Sequence, residues 1–208
     1  MPELPDIENY LAALDPRIHG TRLLSVSIRS PFLLRSVAPP IADVEGLKVV
    51  ALKRLGKRIA IGFEHELWFV IHLMIAGRLS WTNVLDNKRV RQTLAVFAFE
   101  SGRLIITEAG SKRRASLHVV QGLDALGELE PKGLEIFAAG LSEFSQRLTL
   151  QNHTLKRALT DPRIISGIGN AYSDEILHHA KLFADHPDTK ALTARNQHTL
   201  YIGAHGIA

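Results

Sequence analysis

The 208-residue sequence predicts an α+β fold, a β-rich first domain followed by a helical second one. Three observations carry this. Apolar residues alternate with period two in short runs between about residues 22 and 121, the mark of strands with one buried face. Beyond about residue 122 the apolar spacing becomes helical. Where the two styles meet, at 122–131, glycine, proline and acidic residues cluster as they do at domain boundaries. The expected domains are 1–122 and 131–208, with a linker at 123–130.

Each element has its own warrant. The opening M-P-E-L-P-D-I-E reads as a helix start. Pro5 suits a first helical position, and Asp6 and Glu8 lie where the helix dipole favours negative charge. Ile7, Leu11 and Leu14 follow at helical spacing, and Pro16 is expected to stop the run. In R-L-L-S-V-S-I-R (22–29) Leu24, Val26 and Ile28 are expected on one strand face. L-K-V-V-A-L (47–52) and R-I-A-I-G-F-E (58–64) read as strands, joined by K-R-L-G-K (53–57) as a basic hairpin tip with a glycine turn. E-L-W-F-V-I-H-L (66–73) reads as a strand buried on both faces. L-A-V-F-A-F-E, S-G and R-L-I-I-T-E form the clearest hairpin, expected to turn at Ser101-Gly102. L-H-V-V (117–120) is the last expected strand. Residues 134–144, 154–159 and 171–180 read as helices, and the stretch from Phe183 onward is expected to be loosely ordered.

Composition narrows the function classes. There is no cysteine, so neither a disulfide framework nor a thiolate zinc site can form within these residues. Of the ten histidines only His178 and His179 are adjacent, and neighbouring helix positions do not face each other. No metal site is expected. No apolar run is long enough to span a bilayer, and the N-terminus lacks a basic-then-apolar signal pattern. An intracellular protein is expected. The net charge of +4 and a pI near 9.5 permit an anionic partner such as nucleic acid without requiring one.

Three stretches could carry chemistry. If Met1 is removed, Pro2 presents a free secondary amine whose pKa, at roughly 8, leaves part of it neutral and nucleophilic near pH 7. Such an amine attacking a sugar C1′ gives an iminium ion, an electron sink, and Glu3 beside it could protonate a leaving group. The plain alternative is an incidental start followed by helix-favouring acids. The basic tip K-R-L-G-K could reach a phosphate, with Lys57 held more firmly than Lys53, or it could be a solvated turn. In D-P-R-I-I-S-G-I-G-N-A-Y-S-D-E (161–175) Gly167 and Gly169 allow close backbone approach, and Asn170 is expected at a helix N-cap, where an anion is favoured. The alternative there is an ordinary helix–helix connection.

Together these stretches resemble the formamidopyrimidine-DNA glycosylase and endonuclease VIII family of base-excision repair enzymes, over about residues 1–182. M-P-E-L-P-D-I-E is similar to the family's M-P-E-L-P-E-x-E start, and Leu4 leans toward the formamidopyrimidine branch. L-G-K (55–57) resembles its G-K hairpin, and H-L-M-I-A-G-R-L (72–79) its H-L-G-M-x-G-x-L strand. S-G-I-G-N-A-Y-S-D-E-I-L (166–177) resembles its G-I-G-N-I-Y-x-D-E-x-L element. The fold this implies is an N-terminal antiparallel β-sandwich with an N-terminal helix, followed by a helix-two-turns-helix domain.

The resemblance implies roles residue by residue. Pro2 would be the Schiff-base nucleophile, Glu3 the general acid, and Lys57 a phosphate ligand near the lesion. Asn170 and the backbone of Gly167 and Gly169 would hold phosphate, and Lys156 would face the lesion. His72, Met74 and Ile75 would belong to the DNA-binding set, Ile75 standing where the family has its wedge methionine and Met74 where it has glycine. Asp6 replaces the usual glutamate and is one methylene shorter. E-A-G-S-K-R-R (108–114) replaces D-P-R-R-F-G, so the residues facing the orphan base are unassigned; Lys112, Arg113 and Arg114 could contact backbone. The family's zinc finger needs four cysteines that this chain lacks, so no cofactor is expected in it. The implied activity is a bifunctional glycosylase and AP lyase acting on oxidised bases, with purines the default, by β,δ-elimination. The alternative is a non-enzymatic relative that binds damaged DNA. The implied partner is double-stranded DNA with an oxidised base or abasic site. A monomer without membrane contact, cytoplasmic or nucleoid-associated, is expected.

Overall fold

The computed structural model describes residues 1–83, 90–110, 112–183 and 189–206. Among these, in chain order, lie α1 (Leu4–Ile18), β1 (Leu23–Ile28), β2 (Val49–Leu55), β3 (Arg58–Phe63), β4 (Leu67–His72), β5 (Gly77–Thr82), β6 (Thr93–Phe99), β7 (Gly102–Glu108) and β8 (Ser116–Gln121). Then come α2 (Leu123–Glu128), α3 (Leu141–Thr149), α4 (Leu155–Thr160), α5 (Asn170–Ala180) and α6 (Ala194–His205). The chain divides into two compact units. One comprises residues 1–2 and 6–129, the other residues 3–5 and 130–208.

The first unit holds two four-stranded antiparallel sheets, ordered β1-β6-β7-β5 and β2-β3-β4-β8. Alternating side chains from both sheets make one core, in which Phe69 packs between Phe63 (4.9 Å between ring centroids) and Phe97 (5.5 Å). β4 is buried on both faces, as its unbroken apolar run predicts. Phe69 and Ile71 enter the main core, while Trp68 and Val70 join a second cluster under Leu126 of α2. α2 occupies part of the 123–130 stretch.

Several local expectations give way to packing. α1 runs through Pro16 to Ile18. A helical proline costs about 3 kcal/mol, yet Leu14 and Ile18 on either side are both buried and contribute about 1.5–3 kcal/mol each. Arg17 Nη1 also donates to the Ala13 carbonyl within that last turn. In β1, Leu24 is exposed and Leu23 is buried, because the register against β6 shifts between Leu23 and Ser25. Val26 and Ile28 keep the inward face.

The basic stretch is mostly strand rather than tip. β2 continues to Leu55, leaving Gly56 (φ +61°) and Lys57 as the turn. Arg54 pairs with Glu8 at 2.5 Å, and Lys53 lies 5.3 Å from the centre of the Trp68 ring. The H-L-M-I-A-G-R-L stretch is a strand end, a turn and a new strand. β4 ends at His72, residues 74–76 turn, and β5 begins at Gly77. The β6–β7 hairpin pairs Phe99 with Gly102, so its turn is Glu100-Ser101. Gly102 has no room for a side chain, since a Cβ would lie 2.5 Å from the Trp81 ring.

In the second unit α3 begins only at Leu141. Residues 134–139 are not helical, because Leu134 pairs with Ile165 in a bridge, donating to the Ile164 carbonyl (2.8 Å) and accepting from Ser166 N–H (2.9 Å). Leu4, Phe144, Leu148, Leu155, Leu159, Ile176 and Leu200 form its core. Gly169 is the N-cap of α5 and Asn170 its first helical residue, one position later than the spacing suggests. The C-terminal stretch contains α6 instead of loose chain; residues 184–188 and 207–208 lie outside the described residues. Its N-terminus is a capping box, with Thr193 Oγ1 accepting from Asn196 N–H (3.2 Å) and the Asn196 side chain accepting from Thr193 N–H (3.3 Å). Gly203 lets α6 lie against Ile176 and His179 of α5. Thr193→Ala is expected to lower stability by about 1 kcal/mol in urea titration, whereas a loosely ordered tail would show no change.

Candidate active site

The N-terminus of the first unit lines a pocket of about 400 Å³, whose walls include Pro2, Asp6, Tyr10 and Arg78. Pro2 is buried and Asp6 exposed. A concave site of this size with two opposite charges, Asp6 and Arg78, suits a small polar ligand. Arg78, the second residue of β5, donates from Nη1 to the carbonyls of Gly77 (2.7 Å) and Ile75 (3.3 Å).

Glu3 belongs to the second unit and is 3% exposed. Its carboxylate accepts three backbone N–H bonds at the start of α5. Gly169 donates to Oε2 at 2.8 Å, Ala171 to Oε1 at 3.0 Å and Tyr172 to Oε2 at 3.2 Å. The first turn of a helix leaves such donors without intrahelical partners, and its dipole favours an anion there. Leu4 N–H adds a bond to the Gly167 carbonyl (3.0 Å). Gly167, at φ +88°, makes the turn that brings these groups together, a conformation that favours glycine. The Gly169 N–H expected to face a phosphate is thus committed to Glu3, whereas the Asn170 residue is exposed. Lys156 pairs with Asp174 of α5 at 2.6 Å. The loop between α4 and α5 is braced by Asp161, whose carboxyl lies at about 2 because the Arg163 side chain donates to it.

Three basic side chains, Arg58, His72 and His118, share the face of the β2-β3-β4-β8 sheet opposite the main core. Arg58, His72 and Ser116 are register partners across β3, β4 and β8, with His118 one row along. His72 is pushed down to about 4, first by burial, then by the nearby charges of Arg58, Lys57 and His118. His118 is lowered too, by burial and then Arg58 and Arg35. Arg58 donates to the Leu129 carbonyl. His72 Nε2 is buried with no hydrogen-bond partner among the described residues. Lys57, half-buried, carries one of the charges that lower His72.

The 74–76 turn leaves Ile75 60% exposed, with Met74 partly buried at φ +53°. That φ suits the family glycine and costs a methionine about 1–2 kcal/mol. Lys112, Arg113 and Arg114 are all exposed; Ser111 lies outside the described residues. Sequence reasoning overlooked what holds this loop. Glu108 is 1% exposed and accepts from Arg114 N–H (2.9 Å to each oxygen) and Ala115 N–H (3.1 Å). A glutamate ending a strand just before a basic run is the signal that could have found it. Glu108 is also the register partner of Gly77, so the Ile75 turn and the basic loop adjoin the same end of the β5–β7 pair. Among the described residues no group of three or more His, Cys, Asp or Glu side chains could hold a metal ion, and no helix is long and apolar enough to cross a membrane.

The sequence and the fold are similar to those of known proteins. The family profile described as the formamidopyrimidine-DNA glycosylase N-terminal domain matches residues 1–114, and that of the H2TH domain of the same enzymes matches residues 130–204. A formamidopyrimidine-DNA glycosylase of Laribacter hongkongensis is 31% identical over 187 residues, covering 88% of this chain and 68% of the relative. One of Desulforamulus reducens is 28% identical over 213 residues, covering 97% and 74%. Among solved structures, the MutM (Fpg) protein of Thermus thermophilus superposes with a TM-score of 0.83 at 26% identity, covering 99% of this chain and 74% of that one. The Lactococcus lactis enzyme, bound to DNA containing an AP site, has the same fold at TM-score 0.86 and 22% identity, covering 97% and 78%.

The histidine pair gives a stability test. An unfolded His72 titrates near 6.5 and the folded one at about 4, so the unfolded state takes the proton first and stability falls as pH drops through that window. At pH 5 the loss is about 2 kcal/mol from His72 alone. The wild type is expected to lose more stability than His72→Gln between pH 7.5 and 5 in urea titrations. Equal losses would show that His72 is not held neutral by the fold.

Proposed function

The chain belongs to the formamidopyrimidine-DNA glycosylase family, DNA glycosylases of base-excision repair, and on that premise we propose that it works through a Schiff base on the Pro2 nitrogen. The observation carrying this is that the residue directly after Pro2, Glu3, is held by three backbone donors instead of fraying as a chain terminus does. Removal of Met1, compatible with a small second residue, frees the secondary amine. The extruded nucleotide, turned out at a cost of a few kcal/mol, offers C1′ to it.

The Pro2 lone pair forms the N–C1′ bond while the glycosidic C1′–N pair leaves with the base, which takes up a proton. Loss of the amine proton and opening of the sugar ring, with O4′ protonated through Glu3, gives the iminium. The iminium acidifies C2′; loss of that proton expels the 3′-phosphate oxygen. Loss of the C4′ proton then expels the 5′-phosphate oxygen, and water releases the remnant from Pro2. This adds AP lyase activity to glycosylase activity. Oxidised purines are the proposed substrates.

Binding is assigned to the remaining cations and the wedge. In the first unit Lys57 and His72 take a phosphate; in the second unit the Asn170 side chain and Lys156 are assigned to DNA. Asp6 lines the lesion pocket, Ile75 with Met74 fills the vacated stack, and Lys112, Arg113 and Arg114 contact backbone. The family zinc finger requires thiolates, and these residues include no cysteine. The protein is proposed to act inside the cell as a monomer on double-stranded DNA.

Borohydride reduction during incubation with abasic-site DNA is expected to trap a covalent adduct. Pro2→Gly should lose at least tenfold in trapping rate, and an N-terminal tag should abolish it by blocking the amine. Undiminished trapping in both rules out the nucleophile assignment. Replacing Lys112, Arg113 and Arg114 together by alanine should flatten the dependence of log K on log salt by about 1 for each phosphate the variant leaves unneutralised.

A further inference from the structure

We infer that Arg78 reads the damaged base, donating to the carbonyl that oxidation places on a purine's five-membered ring. The inference rests on the reading of the Pro2 pocket as the lesion site. Arg78 lines that pocket with Pro2, Asp6 and Tyr10. Its Nη1 is tied back to the carbonyls of Gly77 and Ile75, which fixes the plane of the guanidinium. Nε and Nη2 have no acceptor among the described residues. A guanidinium anchored on one nitrogen and open on the other two is preorganised to donate to an oxygen arriving in the pocket.

The chemistry of the base supplies that oxygen. Undamaged guanine presents an acceptor at N7 and only C–H at C8. Oxidation at C8 turns this edge into a carbonyl beside an N7–H, one acceptor next to one donor. A formamidopyrimidine keeps a C=O and an N–H in its opened ring. Arg78 donates to the carbonyl, and the Asp6 carboxylate on the same pocket wall accepts the N–H. An undamaged purine would leave the guanidinium without an acceptor and set a lone pair against a carboxylate. A site built to hydrogen-bond such groups rejects analogues lacking them far more strongly than an apolar pocket does. Tyr10, partly buried, supplies an aromatic wall for the ring. Because Nη1 is bonded to the Ile75 carbonyl, the base-reading side chain is also tied to the turn that carries the wedge.

The test compares two duplexes, one with a single 8-oxoguanine and one with an abasic site at the same position, in single-turnover reactions. The quantity read is the ratio of base excision to abasic-site cleavage. Arg78→Ala is expected to lower this ratio at least tenfold. Arg78→Lys, which keeps the charge and one donor on an unanchored stem, should lower it about threefold and remains informative if the alanine variant fails to fold. Equal losses on both duplexes would overturn the inference and point to a phosphate contact or a purely structural role; an unchanged ratio in the folded variants would overturn it as well. Failure of the underlying pocket reading is seen separately, as trapping that survives in Pro2→Gly.

Discussion

The Glu3 carboxylate on the start of α5 is the interaction on which the rest of the chemistry depends. The first residues of a chain are its freest, and ordering a backbone residue costs about 1–2 kcal/mol in entropy. Three backbone N–H bonds to the carboxylate offset the ordering of these residues. Leu4, fully buried in the second unit's core and bonded to Gly167, reinforces the anchor. The chain counts with the second unit for only these residues, 3–5, and rejoins the first at Asp6. Pro2 is thereby one peptide link from a residue held by three hydrogen bonds. The glycines of the α4–α5 connection are explained by the same bonds: the turn at Gly167 and the cap at Gly169 exist to present N–H groups to Glu3.

The cations of the first unit are arranged by burial as much as by charge. The Arg58–His72–His118 patch gathers positive charge on a sheet face, and the fold answers by keeping His72 neutral at physiological pH. A neutral imidazole with an unpartnered Nε2 beside Lys57 and Arg58 is an environment that an anion improves and a further cation does not. At one end of the other sheet, Glu108 plays the opposite part, a buried anion that organises exposed cations through their backbone. In both places the polar groups that meet solvent are positioned by ones that do not.

Much of this was legible in the sequence, for identifiable reasons. Strands β3, β4, β6 and β7 follow from unbroken or alternating apolar runs, because a side-chain period of two leaves one register that buries them. Pro2, Lys57 and Asn170 stood out because proline, a glycine hairpin and a G-x-G-N turn are locally informative. Positions decided by distant partners were hidden. The bulge that turns Leu24 outward is set by β6, and the bridge that unwinds 134–139 by Ile165. α6 was concealed by its weak apolar periodicity, and its one glycine, Gly203, permits close packing on α5. The partners of Glu3 and Glu108 lie in backbone N–H groups, to which every sequence contributes alike. Nothing in residue identity marks them.

The most direct measurement is the location of the reduced sugar adduct. After borohydride treatment and trypsin digestion, mass spectrometry should find the added mass on the peptide spanning residues 2–17, at the nitrogen of Pro2, with Met1 absent. Sugar mass on a lysine-containing peptide instead, at Lys57 or Lys156, would contradict the account.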